Sequence, residues 1–202
     1  MSLVQEALNY ATEQHSGQIR IFGGEEYILH PIAVSSLVRK YIIESTEEEL
    51  IEIDDMNGEV TEEVLKAAAL LHDVAELPSV NHRELVNKFG VTVTYLVLEV
   101  TTNREMKEAI GKKKYLAYKL MHMTNWALLI KLCDRLDNMS DYVLWTEEFR
   151  ERKIDETEFI LDYIEENRKL CAIHQRIIAD IRLLINKAKE HNREVTPQLK
   201  LL

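Results

Sequence analysis

The sequence predicts an all-α protein, and two observations support this prediction. Apolar residues recur at intervals of three and four along almost the whole chain, as at Leu116, Leu120 and Met123, and this spacing places them on one face of a helix. The chain also has only six glycines and three prolines among its 202 residues, which leaves few of the turns that a β-rich fold requires. The length suits one sizeable core.

The first half of the chain is predicted to contain four helices, near residues 2–15, 31–43, 61–75 and 81–89. The apolar faces of the first two consist of Leu3, Ala7, Tyr10, Ile32, Val34, Leu37 and Val38. The third contains the apolar run of residues 67–71, and the fourth begins at Asn81, which is a favourable N-cap residue.

The second half is predicted to contain four more helices, near residues 91–101, 111–122, 124–145 and 154–192. The helix at 124–145 includes the apolar run "ALLIKLCDRLDNM", and the last carries Ile177, Ile181 and Leu184 at helical spacing. Two arrangements are open for this last helix, since it could close the core or form a small appendage. We expect a single domain over residues 1–202, with residues 154–202 packing on it as a C-terminal helical extension.

Two segments are predicted to be irregular. Residues 16–29 contain three of the six glycines and are expected to form a loop. Residues 44–63, "ESTEEELIEIDDMNGEVTEE", are rich in acidic side chains, and we expect a solvated excursion that joins two helices.

Charge and composition exclude several classes of partner. The net charge of −10 disfavours nucleic acids and anionic membranes, which attract basic surfaces. The two cysteines form no CxxC pair, so neither a disulfide framework nor a cysteine zinc site is predicted. The start of the chain does not resemble a signal peptide, and no apolar run approaches the roughly 20 residues that span a bilayer. We therefore expect a cytoplasmic protein whose oligomeric state the sequence leaves open.

The stretch "AAALLHDVAEL" places an imidazole and two carboxylates in an apolar helix. Within a helix, His72 and Glu76 are four residues apart and Asp73 and Glu76 are three apart, so all three are predicted to face one volume. Burial of a carboxylate is unfavourable unless the carboxylate is paired or bound to a cation. This stretch therefore suggests a cation site.

Two further positions supply partners for such a site. His30 precedes a proline where a loop enters a helix, and Asp134 interrupts an apolar helix with Asn138 four residues later on the same face. Two histidines and two aspartates form a mixed set that suits Mn, Fe, Co or Zn. A hydrogen-bonded core histidine, or a structural ion pair between Asp134 and Arg135, would explain single members of this set. Neither explains an adjacent His-Asp together with a second buried aspartate.

The order His…His-Asp…Asp resembles the HD superfamily of metal-dependent phosphohydrolases. The chain is most similar to the hydrolase domain of RelA/SpoT proteins and to its small stand-alone relatives. "HSGQIRIFGGEEYILHPIAV" resembles "H.GQ.RKSG.PYI.HP..V", "AAALLHDVAEL" resembles "AA.LHDVVED", and "LLIKLCDRLDNM" resembles "L.IKLADRLHNM". "HRELVNKFGVTVTYLVLEVT" corresponds to a fourth motif in the same order. The resemblance covers residues 2–145 and implies a compact helical bundle.

The resemblance also implies roles for individual residues. His30, His72, Asp73 and Asp134 would bind the metal, with Mn²⁺ the usual ion. Glu76 would orient or deprotonate the attacking water, and Asp73 would serve catalysis as well as metal binding. Four residues are predicted on the substrate side: Arg20, Asn138, Asp141 and Leu144. The implied activity is hydrolysis of ppGpp, a small nucleotide, to GDP and pyrophosphate.

Four departures from the family pattern keep a second substrate open. The second acid after the His-Asp pair is Leu77, and the lysine after Arg20 is Ile21 in a loop one residue longer. Asp137 and Asp141 stand where the motif has a histidine and a threonine, and residues 44–63 lengthen the spacing between His30 and His72. A pocket with fewer cations and more carboxylates favours a nucleoside monophosphate or a singly 3′- or 2′-phosphorylated nucleotide. A non-catalytic nucleotide sensor that binds a metal is a third possibility.

Overall fold

The structure, a computed structural model, describes the backbone of residues 1–199 and the side chains of residues 1–193. Over these residues it has ten α-helices and two short 3-10 turns: α1 (Leu3–Gln14), α2 (Leu29–Ile43), α3 (Glu47–Ile53), α4 (Glu62–Leu70), a turn at Val74–Glu76, α5 (His82–Val100), α6 (Arg104–Ile110), α7 (Lys112–His122), α8 (Asn125–Ser140), a turn at Asp141–Leu144, α9 (Glu147–Asn167) and α10 (Ala172–Leu199). Within the described residues no strand forms, and only an isolated antiparallel bridge joins Ile19 to Glu26. The all-α prediction is confirmed.

Helix α8 lies at the centre of the core. Its residues from Trp126 to Asp134 are all buried, which is expected of a helix that is apolar on every side. Helices α2, α4, α5 and α10 pack around α8, while α1 covers α4 and α7 packs on α9. Residues carried by α2, α4 and α8 therefore converge at the middle of the molecule.

The predicted break between residues 89 and 91 is confirmed as a kink within α5. Gly90 has a φ of +81°, in the left-handed region that side chains disfavour. Asn81 caps this helix as predicted, because its side chain accepts a hydrogen bond from the Arg83 N–H.

The prediction of a solvated excursion over residues 44–63 was correct only in part, because most of the segment is exposed and joins α2 to α4, but it contains a helix that packs on the bundle. Thr46 and Glu49 form a capping box that starts α3, and Ile53 at the end of this helix is fully buried. The Trp126 indole N–H donates to Asp54, 3.1 Å away, and Arg176 of α10 pairs with Glu49. The segment thus contains a short packed helix, α3, that contacts α10.

The helix predicted over residues 61–75 ends earlier, at Leu70. The Leu71 N–H bonds to the carbonyls of both Ala67 and Ala68, which tightens the chain into a turn over residues 71–73 and then a 3-10 turn. His72, Asp73 and Glu76 therefore do not share one α-helical face, contrary to the prediction.

The single helix predicted over residues 154–192 is two helices. Thr146 caps α9, which ends at Asn167, and α10 starts at Ala172 after a short break. Five isoleucines of α10 are buried against the rest of the bundle: Ile173, Ile177, Ile178, Ile181 and Ile185. The end of the predicted extension, residues 200–202, lies outside the described residues.

Smaller differences concern element ends. The helix predicted at 124–145 ends at Ser140 and continues as a 3-10 turn, and α6 was not predicted. The loop predicted over residues 16–29 is confirmed as far as residue 28, since α2 begins at Leu29. Among the described helices, none is both long and apolar enough to cross a membrane.

Candidate metal centre and adjoining cleft

The turn after α4 determines where the adjacent His72 and Asp73 point. Neighbouring residues of an α-helix face different directions, so the tightened turn is what lets both reach the same volume. The His72 Nδ1–H donates to the Ala69 carbonyl at 2.8 Å. Its Nε2 atom is buried and, among the described residues, has no partner at good hydrogen-bond geometry, so this atom faces the interior of the protein.

His30 and Asp134 bring their side chains to this atom from two other helices. His30 lies in the first turn of α2, and its Nε2 is 3.2 Å from Asp134 Oδ1 and 3.8 Å from Asp73 Oδ2. His72 Nε2 is 3.1 Å from Asp73 Oδ2 and 3.8 Å from Asp134 Oδ1. The structure therefore brings together the four residues that the resemblance assigned to metal binding.

The buried carboxylates are held ionised by nearby cations and donors. Burial opposes ionisation of Asp134, but the Lys131 ammonium, 2.6 Å away, and His30 keep the pKa of this carboxyl well below its usual range. Asp73 has a lowered pKa for a similar reason, since His72 outweighs its burial. The Tyr27 hydroxyl donates to Asp73 Oδ2 at 2.6 Å, and burial raises the pKa of Tyr27 so that this donor stays protonated.

These donors fit a divalent cation. His30, His72 and Asp134 each offer a ligand atom within 4.8 Å of the others, and imidazole with carboxylate is a set that transition metals accept. Burial lowers the pKa of His30, yet the carboxylates of Asp134 and Asp137 outweigh it and raise the value to about 9. The site thus attracts positive charge, and the unpartnered His72 Nε2 is an atom that a cation would satisfy.

Glu76 lies in the following 3-10 turn, where a strap formed by residues 101–104 holds it. The Thr102 N–H donates to Glu76 Oε1 at 3.0 Å, and Arg104 donates to the Glu76 carbonyl at 3.1 Å. The strap is held from its other side by α7, because the Lys119 ammonium donates to the Thr101 carbonyl. One carboxylate oxygen of Glu76 is therefore fixed by backbone.

Arg20 forms ion pairs with two aspartates, Asp137 and Asp141. Its Nη1 is 2.9 Å from Asp137 Oδ2, and its Nη2 is 2.7 Å from Asp141 Oδ2. One guanidinium charge thus faces two carboxylates. The loop that carries Arg20 is pinned to the end of α8 and to the turn that follows.

A cleft opens beside the cluster and contains most of the predicted substrate residues. Its lining is formed by Arg20, Ile21, Phe22, Tyr27, His30, Asn138, Asp141, Trp145, Phe149 and Lys153. Asn138 also donates to Asp134 Oδ1 at 2.5 Å, which agrees with the prediction that the two residues lie on the same face of one helix. Leu144 is not among the lining residues: it is 54% exposed and packs beside Gly23.

Lys153 connects this cleft to a cluster of positive charge. The buried Glu156 carboxylate has three cations around it, Lys112 at 3.1 Å, Arg135 at 3.4 Å and Lys153 at 3.9 Å. Burial and the neighbouring Lys112 lower the pKa of Lys153 to about 8, although Glu156 opposes this. Three cations against one carboxylate leave an excess of positive charge at this side of the cleft.

Sequence reasoning missed three contributors to the site. Tyr27 stands inside the quoted "HSGQIRIFGGEEYILHPIAV" motif, which was a usable signal. Lys131 stands three residues before Asp134 in a helix, a spacing at which opposite charges meet. Lys153 gave no local signal, because only the fold brings α9 to the cleft.

Comparison with known proteins places the chain in a family. Residues 7–161 match the HD domain family. The chain belongs to the HD domain family. This confirms the predicted resemblance, and membership implies a divalent metal at a site for which the His30, His72 and Asp134 cluster is suited.

Relatives of this HD domain include curated and solved proteins. The chain is 30% identical over 141 residues to guanosine-3′,5′-bis(diphosphate) 3′-pyrophosphohydrolase MESH1 of Danio rerio, covering 69% of each protein. It is 32% identical over 163 residues to the enzyme of that activity from Aquifex aeolicus, covering 76% of this chain and 20% of the relative. A solved structure of a metazoan SpoT orthologue that hydrolyses ppGpp superposes with a TM-score of 0.71 at 26% identity, covering 90% of this chain and 94% of the other.

Proposed function

We propose that this protein is a Mn²⁺-dependent hydrolase of guanosine 3′,5′-bis(diphosphate) that removes the 3′-pyrophosphate and leaves GDP. The observation that carries the proposal is the convergence of His30, His72, Asp73 and Asp134 beside a cleft, in a chain whose relatives bear this activity by name. A cytoplasmic location is part of the proposal, since the substrate is a soluble nucleotide.

The proposed ligands are the two Nε2 atoms of His30 and His72 and the carboxylates of Asp73 and Asp134. A divalent ion held there supplies Lewis acidity toward a phosphoryl oxygen and lowers the pKa of water. Glu76 is proposed to hold the attacking water and to accept its proton. Fixing of Glu76 Oε1 by the Thr102 N–H supports this role, because it restricts how the carboxylate can turn.

The remaining side chains suit the binding of a phosphorylated nucleotide. Lys153, with Lys112 and Arg135 behind it, provides positive charge that would attract phosphate groups. Trp145, Phe149 and Phe22 provide an aromatic part of the cleft, against which a base can pack. Asn138 and Arg20 are proposed to contact the nucleotide from α8 and from the loop.

The proposal is tested by product analysis with variants of the ligand set. The Mn²⁺-loaded protein is incubated with ppGpp, and we expect GDP and pyrophosphate in equal amounts by ion-exchange chromatography. His72→Ala and Asp134→Ala should lose both the metal, measured by elemental analysis, and the activity. His82→Ala is the matched control, because His82 is exposed and outside the cluster, and it should retain both. Full metal occupancy in both ligand variants would contradict the assignment.

A second candidate substrate is a nucleotide with fewer phosphates. The observation that favours it is the pairing of Arg20 with both Asp137 and Asp141, which leaves that side of the cleft without excess positive charge. Nucleoside monophosphates and guanosine nucleotides with a single 3′- or 2′-phosphate, assayed in the same experiment, separate the two candidates. If such a nucleotide binds tightly and competes with ppGpp but is not hydrolysed, the protein would instead be a non-catalytic nucleotide sensor.

A further inference from the structure

One oxygen atom of Asp137 joins the candidate metal centre to the loop that lines the cleft. Asp137 Oδ2 lies 2.6 Å from His30 Nδ1 and 2.9 Å from Arg20 Nη1. The Asp137 and Arg20 side chains are each only 12% exposed. Asp137 follows Asp134 by one turn of α8, so this helix contacts both nitrogen atoms of the His30 ring.

The contact with Asp137 orients the His30 ring. A carboxylate can only accept a hydrogen bond, so the His30 Nδ1–H donates to Asp137 and the other ring nitrogen, Nε2, faces Asp134, 3.2 Å away. His72 is oriented in the same sense by a different group, the backbone carbonyl of Ala69. Histidines that bind metals commonly donate their other N–H to a carboxylate or a carbonyl, and these partners fix the ring.

The same carboxylate also anchors the loop over residues 16–28. Tyr27 at the end of this loop donates directly to Asp73, whereas Arg20 reaches Asp137 through Nη1 and Asp141 through Nη2. Of the two contacts that Arg20 makes, only the one with Asp137 touches a residue that contacts the metal centre. The roles of the two aspartates can therefore be distinguished by experiment, because both contact Arg20 but only Asp137 also contacts His30.

We infer that Asp137 is a positioning residue that couples cation binding at His30, His72 and Asp134 to the ordering of the Arg20 loop. The inference deepens the proposed function, because it depends on the metal site. A cation bound to the ring strengthens the Nδ1–H as a donor and so fixes Asp137, which in turn fixes Arg20. By linkage, a ligand that orders the loop strengthens metal binding by the same factor.

The first test measures Mn²⁺ affinity of the metal-free protein by titration calorimetry, without any substrate. Asp137→Asn keeps the size of the side chain and removes its charge, and we expect Mn²⁺ binding to weaken by about 10- to 100-fold. Asp141→Asn is the matched control, and its affinity should stay within about threefold of the wild type, since Asp141 does not touch His30. Equal affinities for Asp137→Asn and the wild type would overturn the inference.

The second test follows the loop directly. Hydrogen exchange of residues 16–28 should slow when Mn²⁺ is added to the wild type and to Asp141→Asn. The slowing should be smaller in Asp137→Asn at saturating Mn²⁺, because only Tyr27 then links the loop to the metal centre, through Asp73. Arg20→Gln breaks only the loop side of the link and keeps the contact between Asp137 and His30, so its Mn²⁺ affinity should fall by less than that of Asp137→Asn, while the metal-dependent slowing that passes through Asp137 is lost. This variant keeps the test decisive if Asp137→Asn folds poorly.

The outcomes distinguish this inference from the proposed function. If the wild type binds no Mn²⁺, the metal site and the inference both fail. If the wild type binds Mn²⁺ and Asp137→Asn matches it in affinity and in exchange, the inference fails alone. Neither measurement depends on whether ppGpp is the substrate.

Discussion

At the scale of single residues, the site is a set of carboxylates with unequal tasks. Asp73 and Asp134 lie against the two imidazoles, Asp137 lies behind one of them, and Glu76 is held apart by the strap. Asp73 and Asp134 could be predicted as metal ligands from the sequence, because residue type and the order of the motifs are enough to identify them. The task of Asp137 could not be predicted, because its partners His30 and Arg20 are more than 100 residues away in the chain.

Glu76→Gln is predicted to separate proton transfer from metal binding. The amide keeps an oxygen that can accept the Thr102 N–H but cannot take a proton from water, so kcat should fall by about 10²- to 10⁴-fold. Metal content and melting temperature should match those of the wild type. Unchanged turnover of the best substrate would move the base role elsewhere, with Asp137 or Asp141 as the next candidates.

Lys119→Met is predicted to lower kcat through Glu76. The methionine has a similar length but cannot donate to the Thr101 carbonyl, so the strap that fixes Glu76 Oε1 loses its support from α7. We expect kcat to fall about tenfold with little change in KM, because only the placement of the carboxylate is altered. Lys119→Arg should restore part of the rate. An equal loss in Lys114→Met, an exposed lysine of the same helix, would indicate a general effect on α7.

At the scale of elements, helix periodicity predicted most of the bundle, whereas helix ends were less accurate. The "AAALLHDVAEL" run has helical spacing throughout, yet α4 ends at Leu70, where the chain tightens into a turn. This turn allows His72 and Asp73 to face the same candidate metal centre. The acidic segment was misjudged for the opposite reason. Its Thr46 and Glu49 have the spacing of a capping box, a signal that the density of acidic residues obscured.

The start of α10 provides a prediction about pH. His174 is buried, and burial lowers its pKa to about 4. The folded protein therefore keeps it neutral while the unfolded chain, with an ordinary value near 6.5, binds a proton at mildly acidic pH. The stability that neutral His174 contributes is fully present above about pH 6.5. It is lost as the pH falls from there through 4, which lowers the free energy of unfolding by as much as about 3 kcal/mol.

His174→Gln is expected to remove this part of the pH dependence. Urea unfolding gives the free energy of unfolding of both proteins at pH 7 and pH 4.5. The change between the two pH values is compared between wild type and variant, so the titration of the carboxylates that both proteins share cancels. The variant should lose less stability between the two values than the wild type does. Parallel losses would mean that His174 is protonated in the folded protein or accessible to water.

At the scale of the whole molecule, the local charge at one side of the cleft is opposite in sign to the net charge of the protein. The net charge is −10, yet Lys112, Arg135 and Lys153 surround a single carboxylate at one side of the cleft. At the other side, Arg20 faces two carboxylates and Ile21 is 90% exposed. Attraction of a polyanionic substrate would therefore be local, at the Lys153 side, and would not come from the overall field.

This asymmetry leads to a test of the substrate at two positions, Ile21 and Leu77, where the sequence differs from the motif that it resembles. Ile21→Lys adds a cation at an exposed position of the cleft. If ppGpp is the substrate, its KM should fall by about two- to tenfold with little change in kcat, because a surface cation attracts phosphate equally in the ground and transition states. Ile19→Lys is the control, since Ile19 is exposed in the same loop but does not line the cleft.

Leu77→Asp restores the acid that directly follows Glu76 in the motif, and it should raise kcat on ppGpp if that acid takes part in the reaction. Leu77 is partly buried at the end of the 3-10 turn, so a new carboxylate carries a desolvation cost. Leu77→Asn is equal in size and neutral, so the difference in melting temperature between Leu77→Asp and Leu77→Asn reports on that cost. If the cleft serves a nucleotide with fewer phosphates, Ile21→Lys and Leu77→Asp should both leave ppGpp turnover poor and reduce activity on the native substrate. A stable double variant with no gain on ppGpp would therefore favour the second candidate over the first.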